Sequence, residues 1–389
     1  MNNYSGAKRT KRSRSERPLS NAEVLMRENV PASEPVPKTV ADNLSRKSAF
    51  VQSSDPAFDP RSCFTKVKGS NGTWELSTTA SMVSGLPVER AGRVKPGSLG
   101  RGRKGDPVLK GFRPPWQPYN FHPKAVSLEN PPMLQRRSGV KVRPDTVFNR
   151  DDRQTFYPAG YPWHCIGRLF VSSQNTPPSS GTATLIGRRT VLTSSHMIPW
   201  GAPGLVILFV PAFFNWPFAG IPFIPFIPPP LQVASLGTDV WGYQQGRRQA
   251  YDVALVRLRE PLGDMLGYFG SRVYDDDWED DTRWILVGYP GLINVVAGPT
   301  GITGDANNGN LPTQQFGISV EDDESDEDGL ELEHRADTTE GNSGGPLFGF
   351  WDDAPYVIGV HSGGTVATNV AAGGRAMNDL VGWARSNWV

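Results

Sequence analysis

Cysteine is almost missing: Cys63 and Cys165 are the only two in 389 residues, which excludes a disulfide-stapled scaffold. Net charge is nearly missing too. Forty Lys/Arg against 39 Asp/Glu leave +1, so no overall field points to a nucleic-acid partner. Hydrophobic residues make up only 38%. That suffices for a core in part of the chain but is low for a chain folded end to end. Residues 1–14 contain no apolar stretch of the kind a secretory signal needs. His122, His164 and His334 are scattered without metal-ligand spacing, and there is no phosphate-binding glycine loop or haem motif. No metal or cofactor is expected.

Glycine and proline are abundant. There are 42 and 35 of them, which argues against a helical bundle, because both weaken helix interiors. The same composition suits an all-β domain with many turns. No Asp, Glu, Lys or Arg occurs between Thr190 and Thr238, and residues 205–231 are strongly apolar. Eight prolines between Pro203 and Pro230 exclude a transmembrane helix there, since each removes a backbone donor that lipid cannot replace. A buried strand over 205–211 followed by an apolar loop is expected instead, and no membrane span.

Two regions differ in texture. Residues 1–60 are polar and aperiodic and read as disordered. Lys8, Arg9, Lys11, Arg12 and Arg14 form a basic arm within them, either a solvated tail, a nucleic-acid contact or a nuclear address. Residues 98–105 form a Gly/basic linker, residues 73–84 a strand or hairpin, and the aromatic, proline-rich stretch 114–132 is expected along a neighbouring surface. From about residue 147 short β-like runs alternate with turns, at 166–171, 182–186, 191–193, 205–210, 253–258, 284–289, 347–350 and 356–360. Met377, Leu380, Val381 and Ala384 recur at helical spacing, predicting a terminal helix over 375–387. The acidic run 321–328 lacks the spaced ligands and glycine of a calcium loop, and reads as a solvated, mobile loop. The chain therefore divides into an N-terminal region, 1–146, and a β-rich domain, 147–389.

Three segments of that domain carry chemistry. One runs from Gly181 through two short strands to Ser194, Ser195 and His196. In another, Tyr251 and Asp252 open the apolar run to Leu258. The last is Asp337-Thr-Thr-Glu-Gly341-Asn342-Ser343-Gly344-Gly345. A serine hydroxyl needs a base within hydrogen-bond reach to act as a nucleophile. Histidine titrates near working pH, and a buried carboxylate fixes its tautomer. Glycines let backbone amides converge on one point, so the N–H groups of Gly341 and Ser343 form the expected oxyanion hole. Singly, each segment is commonplace. In the order His, Asp, Ser within one β-rich stretch they are specific.

These segments resemble the trypsin-like (chymotrypsin-fold) serine peptidases, over roughly 147–389. The resemblance implies two packed antiparallel six-stranded β-barrels with a C-terminal helix, preceded by a largely irregular N-terminal region. It also implies peptide hydrolysis with Ser343 as nucleophile, His196 as general base and Asp252 as its orienting acid. Finer features look like the glutamyl-endopeptidase (V8-like) branch: Asn342 before the nucleophile, the turn Gly288-Tyr-Pro-Gly291, and His361 in Tyr356-Val-Ile-Gly-Val-His-Ser-Gly-Gly364. By that likeness Thr338 and His361 line a pocket for a substrate Glu or Asp, and Ser362, Gly363 and Gly364 pair with the substrate as an added strand. Asp337 keeps a rival open, because it stands six residues before Ser343, where trypsins hold the acid that selects Arg or Lys.

The resemblance leaves residues 1–146 as either a removable pro-segment, with 147–153 starting the mature chain, or a permanent region. Met197 follows His196 where many relatives carry a disulfide cysteine, so the domain is expected to be disulfide-free. The family leans to secretion and the N-terminus does not, so the compartment stays open. A protein or peptide substrate and a monomer are expected. The alternative from another class is a catalytically silent binding module of the same fold.

Overall fold

Apolar runs broken by turns fold as strands here because alternate side chains can enter a core while the turns absorb every reversal. The computed structural model describes residues 17–44, 49–52, 67–70, 73–76, 88–95, 108–126, 147–148 and 151–389, apart from 175, 215–230, 232, 244–248, 299–300, 353 and 365–366. The basic arm 1–16, the linker 98–105, Cys63 and the proline-rich loop 215–230 lie outside these residues.

Six strands close into a barrel. In spatial order they are Val206–Pro211, Ile166–Ser173, Thr176–Gly187, Thr190–Thr193, Ala254–Leu258 and Ser235–Tyr243, and the last pairs back with the first. Leu169, Leu185, Val191, Leu192, Leu255 and Val256 on its strands are wholly buried, on both faces of the barrel wall. Closure removes the free edges that an open sheet would expose. The strand Ser235–Tyr243 had no counterpart among the runs expected from sequence.

The second half is a larger sheet. Its order is Val320–Asp326, Gly329–His334, Asn369–Gly373, Pro355–Gly364, Pro346–Phe350, Trp284–Gly288, Thr313–Ile318, Gln154–Tyr157 and Lys124–Ala125. Trp278, Trp284, Trp351, Tyr274 and Tyr356 pack as one aromatic cluster against it. The helix Gly374–Asn387 closes the chain and buries Met377, Leu380, Val381 and Ala384, the residues its spacing selected. No helix among the described residues is long and apolar enough to cross a membrane.

The acidic run is not a loose loop. Val320–Asp326 and Gly329–His334 form an antiparallel hairpin, with Glu327 in the left-handed region at its turn (φ 57°). Leu330, Leu332 and His334 are buried on the inner strand, which anchors the charged outer strand in register.

The N-terminal region also contributes order. Residues 17–26, inside the stretch read as aperiodic, carry the helix Asn21–Leu25, whose Ser20 and Glu23 form a reciprocal capping box. Leu19 N donates to Phe350 O at 2.7 Å, and Leu19 and Val24 are buried in the main core. Arg90–Val94 lies parallel beside Ser235–Tyr243, and Val108–Leu109 pairs with Gly270–Arg272. Thr73–Leu76 is a strand, as expected for part of 73–84. The aromatic stretch does lie along the body. Trp116 Nε1 donates to Met265 O at 3.1 Å, and Tyr119 and Phe121 are buried against Phe350.

Candidate active site

Strand register brings His196 and Asp252 together. Thr193 pairs with Ala254 in the antiparallel ladder between Thr190–Thr193 and Ala254–Leu258. His196 lies just beyond the first strand, in the 3₁₀ turn Ser195–Met197, and Asp252 just before the second, after the turn Gln249–Tyr251. Each apolar strand thus ends at the same rim of the barrel and delivers one polar side chain there.

Asp252 is 0% exposed. A buried carboxylate needs donors to replace its water, and it has three. Its Oδ1 accepts the His196 backbone N–H at 2.8 Å, and its Oδ2 faces His196 Nδ1 at 2.6 Å and accepts the Ser362 hydroxyl at 2.5 Å. With Nδ1 donating to the carboxylate, the lone pair of a neutral imidazole is on Nε2. The His196 side chain is 22% exposed, so the ring spans buried acid and open cleft.

Ser343 is half-buried and its loop is tied to the barrel. Its carbonyl accepts Thr182 N at 2.8 Å. Gly181 touches both partners: a Cβ there would sit 2.8 Å from Ser343 O and 2.7 Å from Met197 Cε. The Ser343 backbone and the residue after His196 therefore meet over one glycine. Thr182 Oγ1 donates to Gly341 O at 2.8 Å and accepts Tyr289 N at 3.0 Å, joining the loop to the Gly288–Gly291 turn. Gly341 has φ 100°, and a Cβ there would lie 2.3 Å from Tyr289 O, so no other residue fits without moving that turn. Among the described residues the amides of Gly341 and Ser343 donate no hydrogen bond, whereas those of Asn342, Gly344 and Gly345 all do.

Of the residues expected to line a pocket, His361 is tied to the loop that carries Ser343. His361 N donates to Gly345 O at 2.8 Å and His361 O accepts Gly344 N at 2.9 Å, locking this strand to the Ser343 loop. Burial, with the nearby His334, His196 and Arg153, holds the His361 ring well below the usual histidine range, so it is neutral at pH 7. Thr338 is wholly buried, and its hydroxyl has no hydrogen-bond partner among the described residues. Beyond Val360, which pairs with Pro346, the ladder to Pro346–Phe350 stops. Ser362, Gly363 and Gly364 thus have no strand partner on that side among the described residues, and a Cβ at Gly363 would meet nothing within 4 Å.

Asp337 is engaged elsewhere. Its Oδ1 accepts Phe148 N at 2.7 Å and its Oδ2 accepts Asp152 N at 2.8 Å. Burial raises its carboxyl above the ordinary value, partly offset by those two amides.

Other residues were not singled out by the sequence. Thr182 reads as one more strand threonine, and Ser362 was expected to act through its backbone, not its hydroxyl. His334, taken as isolated, has its ring 5.8 Å from that of His361. Its Nδ1 accepts Ala336 N at 3.1 Å, which leaves the proton on Nε2. Arg153, paired with Asp151, reaches the Ser343 loop at Thr339 and Asn342, and the only signal was the spacing of two between Asp151 and Arg153, which puts both on one face of an extended chain. Among the described residues no cluster of His, Cys, Asp or Glu is arranged to hold a metal. Cys165 is free and buried.

The closed barrel, the second sheet and the terminal helix make a mostly β architecture carrying a His–Asp pair and a glycine-framed serine. Solved structures similar to the chain are serine proteases. A Glu endopeptidase in complex with MPD matches with TM-score 0.43 and 18% identity, covering 62% of this chain and 100% of the other. The protease Anisep from Arthrobacter nicotinovorans matches with TM-score 0.36 and 18% identity, covering 59% and 98%. A thermostable serine protease, AL20, from an extremophilic microorganism matches with TM-score 0.36 and 17% identity, covering 58% and 96%. No family model matches the chain, and no curated protein does.

Proposed function

We propose that the chain is a serine endopeptidase. The observation that carries this is the buried Asp252, satisfied by three donors of which one is His196 Nδ1, at the rim where the Ser343 backbone meets Met197 over Gly181. In this reading the Ser343 hydroxyl attacks the scissile carbonyl carbon while its proton passes to His196 Nε2. The carbonyl oxygen takes up negative charge toward the amides of Gly341 and Ser343. His196 then gives the proton to the leaving amine, and water, activated by the same ring, hydrolyses the acyl-enzyme. Asp252 stabilises the imidazolium and holds its orientation throughout. An extended substrate adds to the open side of Ser362, Gly363 and Gly364.

Cleavage after Glu, or Asp, is the reading of the pocket. A desolvated substrate carboxylate needs donors. Thr338 offers a buried hydroxyl without a partner among the described residues, and a neutral His361 offers a ring N–H. The same pocket is a poor host for Arg or Lys, because both oxygens of Asp337 already accept backbone amides. The test is kcat/KM on peptides matched except for Glu, Arg or Phe before the scissile bond. The expected order puts Glu first by at least about tenfold, the scale of one charge-assisted hydrogen bond. A preference for Arg overturns this specificity.

A further inference from the structure

Asn342, just before Ser343, carries no charge of its own, and a buried ion pair reaches its amide oxygen. Asp151 and Arg153 lie in the segment read as a candidate start of the mature chain. Arg153 Nε donates to Asp151 Oδ1 at 2.8 Å and its NH2 to Oδ2 at 2.7 Å, with both side chains only 2% exposed. Asp151 Oδ2 also accepts Val295 N at 2.9 Å. From this clamp the guanidinium turns to the nucleophile loop. NH1 donates to Thr339 Oγ1 at 3.2 Å and to Asn342 Oδ1 at 3.3 Å, and NH2 donates to Leu292 O at 3.0 Å. Asn342 Oδ1 accepts Thr339 N at 3.3 Å as well, so the amide before Ser343 is the junction of the network. Asp337 grips the same segment through the amides of Phe148 and Asp152.

We propose that Arg153, clamped by Asp151, is the positioning residue that holds the 338–343 loop with the Gly341 and Ser343 amides free, and that it does so in the uncut chain. This rests on the serine-peptidase reading above. The guanidinium belongs to a side chain and not to a chain terminus, so no cleavage ahead of residue 147 is required to create the cation. The N-terminal region agrees with a permanent role. Leu19, Val24, Val88, Val94, Tyr119 and Phe121 are buried in the main core, and its removal would expose their packing partners.

The experiment uses the full chain, with its intact N-terminus verified by mass spectrometry. It measures kcat, KM, the melting temperature and the rate of labelling by a serine-directed phosphonate. Wild type is expected to label at Ser343 without being cut. Removing Arg153 alone would strand a buried carboxylate, so the informative change is Asp151→Asn with Arg153→Met, which takes out both charges. It is expected to lower kcat and the labelling rate by about a hundredfold, the scale of losing one oxyanion donor. KM and melting temperature should change little. Arg153→Lys keeps the charge but not the fork, and should recover part of the rate. A folded double variant with wild-type kcat overturns the positioning role. Labelling of wild type only after a cut ahead of residue 147 overturns the uncut-chain claim. A wild-type chain that labels in neither form removes the peptidase reading itself, and this inference with it.

Discussion

Ser362 enters the geometry of the site twice, through its backbone and through its hydroxyl. Its backbone lies on the open strand edge, and its hydroxyl is the third donor to Asp252. Ser362→Ala leaves the edge intact and withdraws one hydrogen bond from a buried charge, a loss of about 2 kcal/mol. The expected outcome is a lower melting temperature together with a fall in kcat at nearly unchanged KM, read by calorimetry and steady-state kinetics. Legibility at this scale divides by chemistry. The segments holding His196, Asp252 and Ser343 stood out in sequence because each sits at a fixed offset from an apolar run or a glycine turn, and the structure brings His196 and Asp252 within hydrogen-bond distance. Thr182 and the Ser362 hydroxyl could not, because their partners lie 159 and 110 residues away and nothing local marks them.

At the scale of elements, the strands around the site were legible and the hairpin 320–334 was not. The former are mostly apolar on both faces, as in Thr190–Thr193 and Ala254–Leu258, where Arg257 alone is not buried. In the hairpin, Asp322, Asp323 and Glu324 pair with Glu333, Leu332 and Glu331, so the outer strand is written almost wholly in acids. Its order comes from the inner strand, where Leu332 is 0% exposed and packs in the tryptophan cluster. Leu332→Ala is therefore expected to destabilise the protein by about 3 kcal/mol, the cost of a core leucine and the cavity it leaves. Urea unfolding checks this, and a change under about 1 kcal/mol would mean that the hairpin is not anchored this way. The capped helix Asn21–Leu25 was missed for a related reason. Its single turn, with Val24 alone buried, offers no period to count, although Ser20 and Glu23 spell the cap.

At the scale of the whole molecule, three buried histidines make stability depend on acid. Burial holds His164 down to about 4 and His334 down to about 3, and His361 well below its ordinary value. Unfolded, each would titrate near 6.5. Their contribution is thus complete above pH 6.5. It is lost as pH falls toward 4 and then 3, because only the unfolded chain takes up the protons. The slope is roughly 1 kcal/mol per pH unit for each ring. Urea midpoints between pH 7 and 4 should drop accordingly, and replacing His164 by Gln should flatten the slope. An unchanged midpoint across that range would contradict the neutral burial of these rings.

The most direct test of the central claim is to map the residue that a serine-directed phosphonate modifies in the intact chain. The expected adduct is on Ser343, absent in Ser343→Ala and formed at least about a hundredfold more slowly in His196→Ala, the scale of lost general-base catalysis. An adduct at another serine, or a His196→Ala rate equal to wild type, would contradict it.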